Sequence, residues 1–208
     1  EKAIGDKTVG MIINTPNNPT GAMMSKETLQ MIAEVAKEKN LWIIFDEIYE
    51  RLAYDGAKHV NILQVAPELK NQTVLINGAS KAYAMTGWRI GYALGSKEII
   101  AQINKLQTHL TSNATSIAQW AAVGALKEGD AAVEEMRKAF EERRKVILGL
   151  IRDMPYVKVR EPEGAFYVFI DIRECPLADD LEFCERLLEE KLVAAVPGAA
   201  FFAPGFVR

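Results

Sequence analysis

The sequence predicts an α/β protein with a mainly parallel sheet, followed by a smaller C-terminal domain of α+β character. Runs that are apolar at almost every position, such as residues 41–45, are typical of strands covered on both faces. These runs alternate with helical patterns that are apolar on one face only. Strand–helix–strand order with such strands favours parallel pairing and a layered α/β domain.

Local signals along the chain place the individual elements. Turn residues at 15–21 end the first strand, and Ser25 is placed to cap a helix that ends near Asn40. Apolar runs predict strands at residues 9–13, 41–45, 73–76 and 90–94. Helical periodicity predicts helices over residues 97–127, with a break near 111–113, and over 131–153.

The sequence also predicts two domains. Residues 1–129 belong to the larger, sheet-based domain, and residues 130–208 to a connecting helix and the smaller domain. The connecting helix carries many charges on one face, which is typical of a solvated surface with i,i+4 ion pairs. The smaller domain is predicted from short strand patterns at 156–160, 166–170 and 193–196 and a helical pattern at 179–191.

Composition excludes several classes of function. Lys and Arg total 25 and Asp and Glu 28, so the net charge of −3 does not favour binding to nucleic acid. No apolar stretch is long enough to cross a bilayer, and no leader-like N-terminus is present, so we expect a cytoplasmic location. Two cysteines without CxxC spacing and two histidines leave little material for a metal site, and none is expected.

Three polar groups follow predicted strands at the point where each strand ends. Asn18 follows the first strand, Asp46 the second and Lys81 the third. The carboxyl ends of parallel strands meet at one edge of the sheet, where α/β proteins bind their ligands. Each group alone is ordinary, since loop lysines are usually solvated and an aspartate after a strand often caps a helix. Their shared placement predicts a ligand site at this edge.

With two further residues, these groups match an aromatic aldehyde that carries a phosphate. Lys81 can condense with an aldehyde, and can act as a base if its pKa is lowered. Asp46 can keep a pyridine nitrogen protonated, an interaction of about 4 kcal/mol at an effective dielectric of about 20. Tyr49 and Asn18 can donate hydrogen bonds to a phenolate oxygen. Arg89 offers the planar fork that suits phosphate.

The motifs around these residues resemble the class I/II aminotransferases of fold type I, the pyridoxal-phosphate enzymes that include aspartate and aromatic aminotransferases. Residues 78–91 resemble the family signature around the cofactor lysine. Residues 17–21 match its Asn-Pro-Thr-Gly turn, and residues 46–49 its Asp-x-x-Tyr element. Residues 164–167 and 196–198 resemble markers of its smaller domain. The motifs occur in the family's order across nearly the whole chain.

The resemblance implies a transaminase that moves an amino group between an amino acid and a 2-oxo acid. Lys81 would hold pyridoxal 5'-phosphate as an aldimine and move the proton at the substrate α-carbon. Asp46 would pair with the pyridinium nitrogen, and Arg89 would bind the phosphate. Tyr49 and Asn18 would donate to the ring oxygen.

The resemblance further implies how the substrate is held and how the protein assembles. Arg208 would clamp the α-carboxylate of the substrate, and Phe166 would line the substrate pocket. A homodimer is expected. The family has roughly another half-chain upstream, so we expect the 208 residues to be a segment with a truncated smaller domain, inactive when isolated.

Two departures from the family pattern bear on chemistry and specificity. Gly78 stands where many members have a serine that contacts the phosphate. No arginine occurs between Ile90 and Met136, where some dicarboxylate-specific members carry one. Recognition of aspartate by that arginine is therefore not predicted.

Other functions on the same fold remain open at this stage. A carbon–sulfur lyase or a cyclopropane-forming synthase would keep the same cofactor residues. An aminotransferase-like sensing domain joined to a DNA-binding region would also keep them. Release of ammonia and pyruvate from a thio-amino acid without an oxo-acid acceptor would distinguish the lyase.

Overall fold

A four-stranded sheet forms the centre of the first part of the chain. The fold is taken from a computed structural model, which describes residues 3–208. The strands run in the order β1-β2-β3-β4, with β1, β2 and β3 parallel and β4 antiparallel to β3. They span Gly10–Asn14, Trp42–Asp46, Thr73–Gly78 and Gly91–Leu94. The predicted α/β fold with a mostly parallel sheet is confirmed.

Six α-helices accompany the strands within residues 3–208. Ser25 caps α1 as predicted, since its hydroxyl accepts a hydrogen bond from the backbone N–H of Thr28 at 3.2 Å. The predicted interruption of the helical region after β4 is confirmed, because α3 ends at Leu110 and α4 begins at Ser116. The helices α1 to α6 span Lys26–Glu38, Ile62–Val65, Lys97–Leu110, Ser116–Glu128, Asp130–Arg152 and Asp180–Lys191.

The core lies on one face of the sheet. Ile43 and Phe45 of β2 are fully buried there, against the apolar side of α1 and the α2 region. The alternate residues Trp42 and Ile44 are each 42% exposed, and Ile12 of β1 is 73% exposed. The expectation that these strands are covered on both faces is therefore wrong for the chain as described. Successive side chains of a strand point to opposite faces, and α1 and α2 cover only one of them.

A second, antiparallel sheet follows α5. Its strands are short, with β5 at Lys158–Val159, β6 at Ile170–Asp171 and β7 at Phe206–Val207. Cys184 of α6 packs with Ile172 and Val207 in a small apolar cluster. The strand predicted at 193–196 does not form, although Val196 and Arg208 exchange two backbone hydrogen bonds of 3.0 and 2.9 Å.

The long helix α5 is attached to both parts of the chain through one buried arginine. The guanidinium of Arg144 donates to the carbonyl oxygen of Pro162 at 2.6 Å. It also forms ion pairs with Asp55 at 2.7 Å and Glu161 at 3.0 Å. Beside it, the hydroxyl of Tyr54 donates to the carbonyl oxygen of Ala165, and burial raises the pKa of Tyr54 to about 12. These contacts tie the loop before β6 to the segment after β2.

The described residues offer neither a membrane span nor a metal centre. Across residues 3–208, no helix combines the length and the apolar character needed to cross a bilayer. Within the same residues, no three His, Cys, Asp or Glu side chains are grouped so that they could hold a metal ion.

Candidate active site at the carboxyl edge of the sheet

The parallel register brings the ends of β1, β2 and β3 together. Asn14 and Asp46, the last residues of β1 and β2, pair with each other, and Asp46 pairs with Ile76, two residues before the end of β3. The ladder continues one step further, because Glu47 N–H donates to the carbonyl oxygen of Ile76 at 3.0 Å. Asn18 lies in the turn after β1, and Lys81 in the turn after β3. The side chains in these turns therefore lie at the same edge of the sheet.

Lys81 lies between two aromatic rings. Its Nζ is 5.7 Å from the ring centroid of Tyr49 and 5.5 Å from that of Phe166. The residue is half-buried, and its amine has no hydrogen-bond or ion-pair partner among residues 3–208. An amine in this setting is available to react with a bound carbonyl compound.

Tyr49 is buried at the floor of the site and keeps its proton. Its hydroxyl lies 2.7 Å from that of Tyr167, and one of the two donates to the other. Burial is the main cause of a strongly raised pKa at Tyr49, and the Tyr167 hydroxyl and the Asp46 carboxylate add to it. The nearby Arg208 guanidinium opposes the rise. The two hydroxyls share one hydrogen bond, so the hydroxyl that accepts in this bond can still donate its own O–H to a ligand.

Arg208 reaches the first strand from the far end of the chain. Its Nη1 donates to Asn18 Oδ1 at 2.8 Å. Its Cζ stands 4.5 Å from the ring centroid of Tyr167 and 5.0 Å from that of Phe201. Cation–π contact with two rings holds the guanidinium plane while leaving further N–H donors for an anion.

Asp46 presents an unpaired carboxylate at this edge. Its Oδ1 accepts a hydrogen bond from Ile48 N–H at 3.1 Å, and it forms no ion pair with any of residues 3–208. Asn14 connects it with the next turn. The Asn14 amide donates to the carbonyl oxygen of Asp46 at 3.3 Å, and its Oδ1 accepts from Asn18 N–H at 2.8 Å. Asn14 therefore holds the Asp46 and Asn18 backbones in fixed relation.

Arg89 stands apart from the other candidates. It is exposed, and its Nη1 donates to the carbonyl oxygen of Thr86 at 2.9 Å. Its backbone is in the left-handed region, with φ of 51°. The structure gives it no hydrogen bond, ion pair or ring contact with the other predicted site residues among 3–208.

The glycine that departs from the family pattern has a packing reason. A Cβ at Gly78 would lie 2.9 Å from the Cα of Gly91, and 3.0 Å from the carbonyl oxygen of Ile90. Because β3 and β4 approach so closely here, a serine at position 78 would require a backbone shift.

Phe166 forms the wall between Lys81 and α5. It is 37% exposed, meets the Tyr49 ring edge-on at 5.5 Å and stacks on Phe140 at 5.1 Å. A ring held in this way can position a ligand without taking part in chemistry. The contact of Phe166 with Lys81 is consistent with the predicted place in the pocket.

Sequence reasoning missed several residues of this site. Tyr167, Phe201 and Asn14 all contact predicted residues, but none was singled out from the sequence. Tyr167 directly follows Phe166 in the motif at residues 164–167. Its place in that motif was the one sequence signal that could have predicted it as a site residue. Asn14 ends a strand in register with Asp46, which becomes visible only once pairing is known.

The set of groups fits an aromatic aldehyde with a phosphate and a protonated ring nitrogen. An unpartnered amine, an unpaired carboxylate, a free phenol donor and an amide lie at one edge of the sheet beside an aromatic wall, with the Arg208 guanidinium hydrogen-bonded to the amide. This combination is typical of the fold type I class of proteins, which bind an aromatic aldehyde beyond the sheet.

Comparison with known proteins agrees with that class. The family model described as aminotransferase class I and II matches residues 1–208. The chain belongs to this family, whose members depend on pyridoxal 5'-phosphate.

Individual relatives cover the whole chain but only part of their own length. The aspartate aminotransferase of Bacillus subtilis is 48% identical over 212 residues, which is 100% of this chain and 54% of that protein. A crystal structure of aspartate aminotransferase from Thermotoga maritima superposes with a TM-score of 0.90 at 44% identity, covering 100% of this chain and 52% of that one. The aromatic aminotransferase of Pyrococcus horikoshii gives 0.94 at 40% identity, with 100% and 56% covered. The chain thus spans about half the length of the curated relatives it matches.

Proposed function

We propose that the protein carrying this chain is a pyridoxal-phosphate-dependent aminotransferase that moves an amino group between an amino acid and a 2-oxo acid. The observation that carries the proposal is the unpartnered Lys81 amine, 5.7 Å and 5.5 Å from the Tyr49 and Phe166 ring centroids, at the edge where the parallel strands end. A lysine amine without a partner is unusual for a half-buried group and is suited to hold an aldehyde.

The same edge offers a partner for each polar part of the cofactor. When bound, pyridoxal phosphate supplies an aldehyde carbon and a ring that withdraws electrons from the substrate α-carbon. Asp46 would hold the proton on the ring nitrogen, since its carboxylate has no competing cation among residues 3–208. Tyr49 and Asn18 would donate to the ring oxygen. Arg89, exposed and lightly bonded, would turn to bind the phosphate.

Arg208 and Phe166 would hold the substrate. The guanidinium of Arg208 would bind the α-carboxylate in a bidentate manner, while its bond to Asn18 and the Tyr167 ring fix its plane. Phe166 would exclude water from the side of the α-carbon that faces Lys81.

Lys81 would be the catalytic acid and base. Its amine would take the proton from the substrate α-carbon and return it at the cofactor carbon. Over a full cycle, one amino acid and one oxo acid exchange an amino group and an oxygen, with no net change in the cofactor.

The wider organisation follows from the same proposal. The boundary between larger and smaller domains near residues 129–130 is supported by the separate apolar clusters on either side of α5. The resemblance to the family supports a homodimer, and the composition supports a cytoplasmic location.

An absorption spectrum tests the proposal. The protein is incubated with pyridoxal phosphate, and the visible band of a lysine-bound cofactor is compared between the native sequence and Lys81→Ala. The band is expected with Lys81 and absent without it. Turnover is expected to fall by at least about 10⁴-fold in the variant, since nucleophile and base are removed together.

A panel of amino acids then separates the candidate reactions. Transamination predicts that amino acids change the band and that a 2-oxo acid restores it. Steady formation of ammonia and pyruvate from a thio-amino acid without an acceptor would favour a lyase. A band that persists in Lys81→Ala would contradict the assignment of the cofactor lysine.

A further inference from the structure

Tyr167 connects the phenol at the floor of the site with the guanidinium at its side. Its hydroxyl lies 2.7 Å from that of Tyr49, and its ring centroid lies 4.5 Å from the Cζ of Arg208. Neither hydroxyl has another hydrogen-bond partner among residues 3–208. One of the two phenol protons is therefore used within the pair, and the other is left for a ligand.

The backbone next to Tyr167 is fixed to the segment that carries Tyr49. The N–H of Ala165 donates to the carbonyl oxygen of Leu52 at 2.9 Å, and the carbonyl oxygen of Ala165 accepts from the hydroxyl of Tyr54. Tyr49, Leu52 and Ala165 also form one buried cluster. The fold itself therefore holds the two hydroxyls at hydrogen-bond distance.

The charges beside the pair favour Tyr167 as the donor. The Arg208 guanidinium lies against the Tyr167 ring, and a nearby cation makes a phenol O–H a better donor. Burial is the main cause of the raised pKa of Tyr49, and the Asp46 carboxylate adds to it more than the Arg208 cation opposes it. The Tyr49 oxygen is therefore suited to accept the shared hydrogen bond.

Tyr49 is the member of the pair that contacts the cofactor lysine. The Nζ of Lys81 has ring contacts with Tyr49 at 5.7 Å and with Phe166 at 5.5 Å. It has no such contact with the ring of Tyr167. A ligand oxygen beside the Lys81 amine is therefore placed to receive its hydrogen bond from Tyr49.

We propose that Tyr167 is a positioning residue for the aminotransferase reaction, and that its hydroxyl donates to Tyr49 so that the Tyr49 proton is directed to the ring oxygen of the cofactor. This inference rests on the proposed function, because it takes Tyr49 to be a donor to that oxygen. Hydrogen bonds in a chain polarise one another, so donation by Tyr167 also strengthens the bond that Tyr49 makes. Tyr167 acts only through Tyr49.

The visible band of the lysine-bound cofactor reports on this hydrogen bond. As the pH rises, the nitrogen that joins Lys81 to the cofactor loses its proton, and the negative charge of the ring oxygen is then balanced less. Donation by Tyr49 therefore favours the deprotonated form and lowers the pKa of this nitrogen. A weaker hydrogen bond from Tyr49 should raise the pH midpoint at which the band changes.

The experiment uses the whole cofactor-loaded enzyme and compares Tyr167→Phe, Tyr49→Phe, the double variant that combines them, and Tyr156→Phe. Tyr156 is the matched control, since it is 60% exposed and its hydroxyl bonds to none of residues 3–208. Two measurements are made. One is an absorbance titration of the visible band without substrate, and the other is kcat and KM for a reactive amino acid.

Tyr49→Phe is expected to raise the midpoint of the band by about 1 pH unit, which is a tenfold change in the protonation equilibrium. Tyr167→Phe should raise it by about 0.3 to 0.6 pH unit, because the Tyr49 bond is kept but weakened. The double variant should match Tyr49→Phe within about 0.2 pH unit. Tyr156→Phe should leave the midpoint unchanged.

The kinetic constants should separate the hydroxyl of Tyr167 from its ring. Tyr167→Phe keeps the ring against Arg208, so KM should change less than about twofold while kcat falls by about two- to fivefold. A raised KM with an unchanged kcat would overturn the proposal, because Tyr167 would then act on Arg208 and not on Tyr49.

The titration offers the other ways to overturn the role of Tyr167. An unshifted midpoint in Tyr167→Phe would show that its hydroxyl has a structural role only. A further shift of the same size in the Tyr49→Phe background would show that Tyr167 reaches the cofactor directly. Absence of the visible band in the native enzyme would instead contradict the proposed function itself.

Discussion

Two neighbouring carboxylates at the end of β2 have opposite surroundings. Asp46 is half-buried at the carboxyl edge of the sheet and has no cation partner among residues 3–208. Glu47 is buried, and its Oε2 accepts from His59 at 2.8 Å and from Asn61 at 2.7 Å. Burial of a charge is costly unless the protein satisfies it, so Glu47 is built into the fold. Asp46 is left for a ligand.

The same contrast recurs on α5. Arg144 is 7% exposed and binds one carbonyl oxygen and two carboxylates, while Arg143 is exposed beside a cleft without any carboxylate partner among the described residues. Of these two adjacent arginines, Arg144 stabilises the fold, and Arg143 is available to bind a ligand. A charged side chain without a partner in a concave part of the surface therefore indicates a functional residue better than its amino-acid type does.

Substitution of the two carboxylates gives the sharpest test of this contrast. Asp46→Asn is expected to reduce kcat/KM by about 10²- to 10³-fold, because the protonated ring nitrogen loses an interaction of up to about 4 kcal/mol. Its free energy of unfolding should change by less than about 0.5 kcal/mol. Kinetics and urea denaturation of one preparation measure both.

Glu47→Gln is expected to show the reverse pattern. His59 and Asn61 lose a charged acceptor, so the free energy of unfolding should fall by about 1–3 kcal/mol. Turnover of the folded fraction should remain within about fivefold of the native value. If Asp46→Asn destabilised the protein more than Glu47→Gln, the division into open and satisfied carboxylates would be wrong.

Arg144→Ala tests the contrast between the two arginines of α5 by removing the one whose charge is paired within the protein. The carbonyl oxygen of Pro162 loses its donor, and Asp55 and Glu161 lose their shared cation. The free energy of unfolding is expected to decrease by about 2–4 kcal/mol. This is less than for a fully buried ion pair, because the carboxylates of Asp55 and Glu161 are both partly exposed. Arg143→Ala is the control and should cost less than about 0.5 kcal/mol in the same denaturation experiment. Equal losses would remove the distinction between the two arginines.

Asp180 adds a pH-dependent example of a satisfied charge. Its carboxylate accepts from Ala199 N–H at 2.7 Å and Gly205 N–H at 3.1 Å. These bonds, that from Ala199 first, hold its pKa below the usual value. The folded chain therefore binds fewer protons here than the unfolded chain, and the stabilisation is present above the unfolded pKa of about 4.

Asp180→Asn should lower the free energy of unfolding by about 1–3 kcal/mol at pH 7. The gap between variant and native protein should narrow as the pH falls from about 4, the unfolded pKa, through the lower pKa of the native carboxylate. Thermal denaturation at a series of pH values checks the trend. A gap that stayed constant into acid would show that Asp180 contributes by packing and not by charge.

Tyr49→Phe is expected to have the smallest effect. It removes one donor and should lower kcat/KM by about tenfold, the value of a single neutral hydrogen bond. Because burial raises the pKa of Tyr49, the absorbance change of tyrosine ionisation near pH 10 should be the same in variant and native protein. Loss of one tyrosine from that titration would contradict the buried, protonated state of Tyr49.

Much of the fold was predictable because its signals are local. β2 is apolar from Trp42 to Phe45, and α1 is capped by one side chain, that of Ser25. Which helices cover the sheet was not predictable, since an apolar strand does not reveal its packing partners. The strand predicted at 156–160 contains β5, whereas the strand predicted at 166–170 overlaps β6 only at Ile170, because two-residue strands carry almost no periodic pattern.

The part of the site that lies directly after the ends of the strands was predictable. Asn18, Asp46 and Lys81 come together because the register of three parallel strands forces them to one edge. Tyr167 was not predictable in the same way, since it meets Tyr49 from 118 positions along the chain. Arg143 was indistinguishable from its solvated neighbours until the pairing of each charge was known.

Peptide mapping tests the central claim, that Lys81 is the amine left open for the cofactor. The protein is loaded with pyridoxal phosphate, reduced with borohydride, digested and analysed by mass spectrometry. The pyridoxyl label is expected on the peptide that contains Lys81 and on no other lysine at comparable occupancy. A label spread over several lysines, or concentrated on one away from Tyr49 and Phe166, would contradict it.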